Sequence, residues 1–459
     1  MNWSAVVVAL PSVFQLLFFA AVGACVGSLT NVLAYRMPRG LDVVLPASRC
    51  PSCQTKLTWR ENIPIFGWLL LRGRCRFCNV RVSPEYPIVE AFVAGLFAVF
   101  FALWYLVPPD AHLFGIEIGR IAPDWTRNGL LTTWPAFVAL LFLLGSLVGM
   151  TIIDARTYTI PLVLTWVPAA AALLLHTAHA AWFVIDHGTL SPVTSSESGP
   201  AFFIAADGAR WLTTRGWTWT LATPNPTQWG WIGAGLGGVA GIAVSLLLVR
   251  LGLIRRSFAD YEQWEQAALA EAKAEQEAAG GTPDATNDPD AAQIWIQYPH
   301  ARREMVIESA FASPIVLGMI GGAYALPRLV TAAQPAPLWL AVLAGVCLGY
   351  LIGGGAVWAV RIFGSLAFNK EAMGMGDVHL MAAVGACCGW IDAVLGFFGA
   401  AFVGLAYTLA ALIVGGRLRR AMPFGPFLAV STVLVLLSKP WIEEALTAML
   451  HAASRVDLP

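Results

Sequence analysis

Long apolar runs separated by short polar stretches set the pattern of this chain. A membrane-spanning helix needs about 20 mostly apolar residues. Ten segments fit that description: 11–35, 86–107, 130–153, 160–185, 230–251, 312–331, 338–361, 378–391, 394–414 and 424–446. The eighth is short, and a re-entrant path suits it as well as a crossing. The pattern predicts an all-α polytopic membrane protein with about ten transmembrane helices, in a range of eight to ten. Composition agrees, since 58% hydrophobic against 12% charged residues leaves more apolar surface than a soluble fold of 459 residues buries. No Lys or Arg precedes Arg36, and the first run ends in Asn31, Tyr35 and Arg36. A retained first helix is therefore expected, not a cleaved signal.

The formal net charge is zero, which gives no reason to expect a nucleic-acid partner. Where the charges lie is more informative, because Lys and Arg accumulate in cytoplasmic loops. With the N-terminus outside, 21 of the 28 basic residues fall inside, at Arg36 to Arg81, Arg156, Arg250 to Arg303, Arg361 with Lys370, and Arg417 to Arg420. This orientation predicts a multi-pass membrane protein in contact with lipid, with the first loop, Asp154 and Asp377 at the cytoplasmic side. The chain then divides into a first transmembrane helix (1–36), a cytoplasmic loop domain (37–85), helices 86–185, an insertion (186–337) and helices 338–459. Within the insertion, 186–229 reads as an external loop with interfacial aromatics and 255–308 as a solvated acidic tether. Ala267 to Ala279 reads as helical there, and Gly280 to Asp290 as disordered.

The cytoplasmic loop domain contains Cys50-Pro51-Ser52-Cys53 and, 21 residues later, Cys75-Arg76-Phe77-Cys78. Paired C-x-x-C knuckles at this spacing suit a closed four-thiolate site for a structural Zn²⁺, as in a zinc ribbon. A reducing cytoplasm argues against two disulfides. Arg72, Arg74, Arg76 and Arg81 beside it meet anionic lipid or simply follow the charge rule. Cys25, Cys347, Cys387 and Cys388 lie in apolar helices and read as small core residues.

Two carboxylates stand at the ends of apolar runs. Asp154 closes Thr151-Ile152-Ile153-Asp154, and Asp377 closes Met373-Gly374-Met375-Gly376-Asp377. Ionisable groups at membrane depth are costly and mark function, and the predicted topology brings both acids to the cytoplasmic face. The pair suggests an aspartic dyad, with Gly374 and Gly376 admitting an extended substrate and absorbing unusual dihedrals. Lys370 and Glu371 read as substrate-orienting groups or charged lip residues. An ion or proton-coupled transporter using Asp154 and Asp377 is the alternative, although it gives no role to the cysteine loop. His379 lacks a second ligand at helical spacing, and His176 with His179 read as interfacial polar residues.

Several ordered motifs resemble those of the type IV prepilin peptidases, bifunctional enzymes that cleave a leader and methylate the new N-terminus. They are Gly27-Ser28-Leu29-Thr30-Asn31-Val32-Leu33-Ala34-Tyr35-Arg36-Met37-Pro38, the cysteine tetrad, Tyr86-Pro87-Ile88-Val89-Glu90, Ile153-Asp154 with Ile160-Pro161, Lys370 through Asp377, and Pro423-Phe424-Gly425-Pro426. The resemblance covers about 11–185 and 338–440. It implies catalysis by Asp154 and Asp377 on type IV prepilin or pseudopilin precursors, cut after a glycine at the head of an apolar helix. It also implies a place in the bacterial inner membrane, and S-adenosylmethionine as methyl donor, held near Asn31, Arg36, Glu90 and Gly95. Thr30, Ala372 and Val378-His379 depart from the family pattern. Ala94 stands where the family carries a glycine linked to methylation, with Gly95 one place later; a π-bulge would restore the phase. An intramembrane aspartic protease of the presenilin or preflagellin type shares Gly-x-Gly-Asp but normally lacks the tetrad.

Overall fold

A computed structural model describes residues 3–45, 47–192, 201–214, 217–224, 228–278, 298–330, 335–414, 422–451 and 456–458. Among the described residues, nine helices are long and apolar enough to cross a membrane. These are α1 (Trp3–Arg36), α3 (Glu85–Phe101, continued by a π-turn at Ala102–Leu106), α4 (Leu130–Thr157), α5 (Leu162–His187), α6 (Gln228–Arg250), α8 (Ala301–Leu329), α9 (Leu338–Phe368), α11 (Trp390–Ile413) and α12 (Gly425–Met449). The chain is thus a multi-pass helical membrane protein. Two shorter helices lie in its polar stretches, α2 (Phe66–Leu70) and the acidic α7 (Tyr261–Ala278). The latter begins six residues before the predicted Ala267; Gly280 to Asp290 and Arg417 to Arg420 lie outside the described residues.

The eighth predicted span is α10 (Met375–Cys388). Its 14 residues rise about 21 Å at 1.5 Å each, short of a hydrocarbon core of about 30 Å. Val378 and Leu380 through Cys387 are buried, so protein, not lipid, surrounds it. It packs against α5, α9 and α11. A glycine with φ of 97°, Gly389, turns the chain straight into α11. The space beyond its end is filled by the insertion: the Leu221 side chain approaches Gly389, and Thr223 donates from its backbone to the Ala341 carbonyl at 3.2 Å.

Apolar burial does not drive helix association in lipid, so close approach of small residues has to do so. The contacts follow that rule. A Cβ on Gly23 would meet the Ala94 Cα at 2.8 Å, and one on Gly27 the Glu90 Cα at 2.7 Å, which fixes α1 across α3. Gly349 and Gly385 meet backbone to backbone between α9 and α10. Gly233 and Gly237 meet Gly322 and Gly318 in the same way, binding α6 to α8 as a pair.

Strands β3 (Ser191–Pro192), β4 (Ala201–Ile204) and β5 (Arg210–Thr213) form an antiparallel sheet over the end of α5, and β1 (His112–Leu113) and β2 (Ile116–Glu117) form a separate small hairpin. Two expectations change there. Trp211 and Trp219 are buried and stacked, with ring centroids 3.8 Å apart, where interfacial aromatics were predicted. His176 and His179, read as interfacial, are buried too, the second with its ring 4.9 Å from Trp219. The cause is common to both, since the inserted loop folds back over α5 and covers that end of the helix.

Candidate active site

Three polar turns converge at one end of the bundle. Helix α4 ends where Tyr158 takes a left-handed conformation (φ 54°) and donates its backbone N–H to the Asp154 carbonyl at 2.9 Å. Pro161 then opens α5 after Ile160. This geometry leaves Asp154 on the last buried turn of α4, 5% exposed. Its Oδ2 accepts the backbone N–H of Gly425, the first residue of α12, at 3.0 Å. Asp377 lies in the first turn of α10, 8% exposed, with the Gly374 amide as a backbone partner. The two carboxylates are near enough for the charge of one to act on the other. Asp377 lies at the N-terminus of α10, and Asp154, though on the last turn of α4, meets the N-terminus of α12, where unpaired N–H groups and the helix dipole favour negative charge.

Ile160 fits between the two turns that carry these acids. A Cβ added to Gly376 would lie 2.8 Å from the Ile160 Cβ, and one on Gly425 would lie 3.2 Å from its Cδ1. Neither Gly374 (φ −72°, ψ 148°) nor Gly376, inside α10, takes a left-handed conformation. The expectation of unusual dihedrals is therefore replaced by one of close approach, with Gly376 glycine because Ile160 leaves no room. Glu371 is held by Arg361 and does not stand free at the lip, whereas Lys370 is exposed.

The residues proposed for a methyl donor separate into two sets. Asn31 donates to the Tyr86 carbonyl at 3.0 Å, Arg36 to the carbonyls of Asp42 and Val43, and buried Glu90 accepts the Ile65 amide at 2.6 Å. These three lie where α1, α3 and the cysteine loop meet. Gly95 is not brought to them: it is exposed, and nothing lies within 4 Å of where its Cβ would be. Ala94 faces α1 instead, and Gly23 supplies the room its methyl group needs. The π-turn at Ala102–Leu106 comes too late in α3 to shift either residue.

Cys50, Cys53, Cys75 and Cys78 bring four thiols within 4.8 Å of one another. The two knuckles repeat one fold: the amides of Cys50 and Cys75 reach the carbonyls of Thr55 and Val80 at 3.1 and 2.9 Å, while Gln54 and Asn79 both turn left-handed. The Cys50–Cys78 sulfur separation is 3.7 Å. Four sulfurs about 2.3 Å from a tetrahedral cation stand about 3.8 Å apart, so this geometry fits a metal ion. The thiols also compete for protons. Thr55, through its hydroxyl and amide, draws Cys53 down to about 6. Cys78, although its contact with Val80 pulls it down, is pushed up to about 11 by burial and the neighbouring thiols. A divalent cation would relieve that competition, because its ligands bind as thiolates.

Comparison with known proteins places these features. Residues 21–104 match the Bacterial Peptidase A24 N-terminal domain, and residues 304–409 match the Type IV leader peptidase family. The sequence relationship is to the type IV leader peptidases. A prepilin leader peptidase/N-methyltransferase of Myxococcus xanthus is 49% identical over 80 residues, covering 17% of this chain and 24% of its own. One from Klebsiella pneumoniae is 38% identical over 104 residues (21% and 44%), and one from Vibrio cholerae 30% over 159 residues (33% and 52%). The chain thus spans about half or less of the length of each of these relatives. No solved structure matches. The transporter reading is set aside, since these matches are to leader peptidases. The second matched segment begins at Glu304, in α8, well before the 338 expected from the motifs; Asp154 lies between the two matched segments.

The motifs did not reveal that Gly425 touches Asp154, although Pro-Phe-Gly-Pro was visible. Arg361 was counted only among loop charges. It is the one charged residue in the 31 of α9, and an isolated charge in an apolar helix was signal enough to ask what it pairs with.

Proposed function

We propose that this chain is a membrane aspartic endopeptidase that removes the basic leader from type IV prepilin or pseudopilin precursors. The observation that carries this reading is the convergence of Asp154 and Asp377, two buried carboxylates from separate helices, beside the amides of Gly425 and Gly374. Two carboxylates at close range share one proton, because both cannot ionise cheaply. The ionised member takes a proton from water as the water oxygen attacks the scissile carbonyl carbon. The protonated member donates to the carbonyl oxygen, and the tetrahedral adduct collapses as the departing amine regains a proton. The roles belong to the pair and are assigned to neither residue alone. The substrate enters as extended backbone, since a helical carbonyl is already engaged.

In this reading the aspartates and the cysteine loop face the cytoplasm, in accord with the distribution of Lys and Arg. Cys50, Cys53, Cys75 and Cys78 hold one Zn²⁺, which in a closed four-sulfur set supplies rigidity and no chemistry. The relatives' names add N-methylation, and the junction of Asn31, Arg36 and Glu90 is the place for S-adenosylmethionine. The test is incubation of the purified chain with a panel of precursor peptides and labelled donor, read by mass. Loss of a leader at a single glycine supports the peptidase, and label on the new N-terminus supports the transferase. An intact panel with zinc bound would refute the peptidase.

A further inference from the structure

Asp377 is only as well placed as the loop before it, residues 369–374, which has no regular secondary structure of its own. Three residues on one face of the last turns of α9 hold that loop. Ser365 accepts the Ala372 amide on its Oγ at 2.9 Å, and Gly364 leaves room for the Ala372 methyl group. The third is Arg361, 2% exposed, whose Nη1 donates both to the Glu371 carboxylate and to the Met373 carbonyl, one residue before Gly374.

The guanidinium is itself fixed from behind. Its Nε and Nη2 form a two-pronged contact with Glu308 of α8, at 3.1 Å to Oε2 and 3.1 Å to Oε1. Trp358 Nε1 donates to the same Oε2 at 2.7 Å, and the Phe258 ring lies 5.5 Å from the Arg361 Cζ. A planar fork with five donors suits this task, since it can bind a carboxylate on one edge and a backbone carbonyl on the other without ever losing its charge. Glu308 is braced in turn at the membrane end of the polar segment: Ser257 donates to Glu304 and Glu308, and the Phe258 amide to Glu304 at 2.6 Å.

We propose that Arg361 is a positioning residue for hydrolysis. Locked by Glu308, it clamps the Met373 carbonyl and Glu371, and so fixes the Gly374–Asp377 turn against Asp154. The inference rests on the peptidase reading for its effect on turnover, but its effect on the loop is independent of any activity. It also gives α8, which lies almost wholly within the second matched segment, a task as the wall against which the loop is held.

The test compares full-length wild type with Arg361→Gln, Glu308→Gln, the double variant and Arg361→Lys, each purified in nanodiscs. Removing one partner strands a buried charge and lowers the unfolding midpoint, so either single variant alone would not separate positioning from folding. The double variant removes both charges. It is expected to recover the midpoint of wild type while kcat on a prepilin-like peptide stays roughly 100-fold down with KM little changed, the scale expected when a reacting group is misplaced by about 1 Å. Arg361→Lys, which keeps charge without the fork, should recover only part of kcat. Hydrogen exchange of amides 370–376 should accelerate in Arg361→Gln and in the double variant. A double variant with the kcat of wild type, or unchanged exchange in that loop, would overturn the proposal. If wild type itself cleaves nothing, the peptidase reading fails, and the exchange data alone decide whether Arg361 holds the loop.

Discussion

Replacing Gly425 by Ala adds one methyl group where the structure has least room for it. The new Cβ would lie 2.6 Å from Asp154 Oδ2 and 3.2 Å from the Asp154 Cγ. An ordinary carbon–oxygen contact is about 3.3 Å, so the carboxylate or the start of α12 must move by about 0.7 Å. Gly425 does not use the left-handed region, so Ala meets no backbone penalty there and the collision is the whole effect. The same move stretches the 3.0 Å hydrogen bond from the Gly425 amide to Asp154. Misplacement by about 1 Å costs about 100-fold in rate, so a tenfold to 100-fold loss of kcat is expected, or about 1.4–2.7 kcal/mol in the barrier. The assay is cleavage of a prepilin-like peptide in nanodiscs, with the unfolding midpoint measured on the same sample. Gly355→Ala is the matched control, since nothing lies within 4 Å of its would-be Cβ. A Gly425→Ala protein that cleaves as fast as wild type would refute the claim that Asp154 works from this position.

Gly376→Ala drives a methyl group to 2.8 Å from the Ile160 Cβ and should slow cleavage at least tenfold while metal content stays unchanged; turnover equal to wild type would show that the α10 turn has slack. Cys53→Ser should abolish zinc by elemental analysis and loosen 37–85 to protease, since the site folds the loop; full zinc occupancy in that variant would contradict the four-thiolate set.

Much of the fold was legible because membrane spans announce themselves by length and hydropathy, and the two acids interrupt those runs. The tetrad was legible because a knuckle needs its ligands at fixed local spacing, as Cys50-x-x-Cys53 and Cys75-x-x-Cys78 have. What escaped depends on contacts between segments far apart in sequence. Asp154 and Gly425 are 271 residues apart and Arg361 and Glu308 are 53 apart, and no local pattern joins them. The methyl-donor group shows the same limit: periodicity alone could not tell that Ala94 faces Gly23 while Gly95 faces outward. His176 and His179 were misplaced because the inserted loop folds back onto α5, a choice made by the Trp211–Trp219 stack and not by the helix.

The most direct measurement of the central claim is single-turnover cleavage of one prepilin-like precursor by wild type, Asp154→Asn and Asp377→Asn, reconstituted side by side. Asn keeps the size of the side chain and removes the ionisable group, so each variant should insert, keep its metal and lose cleavage by several orders of magnitude. Substantial turnover by either Asn variant would contradict the dyad.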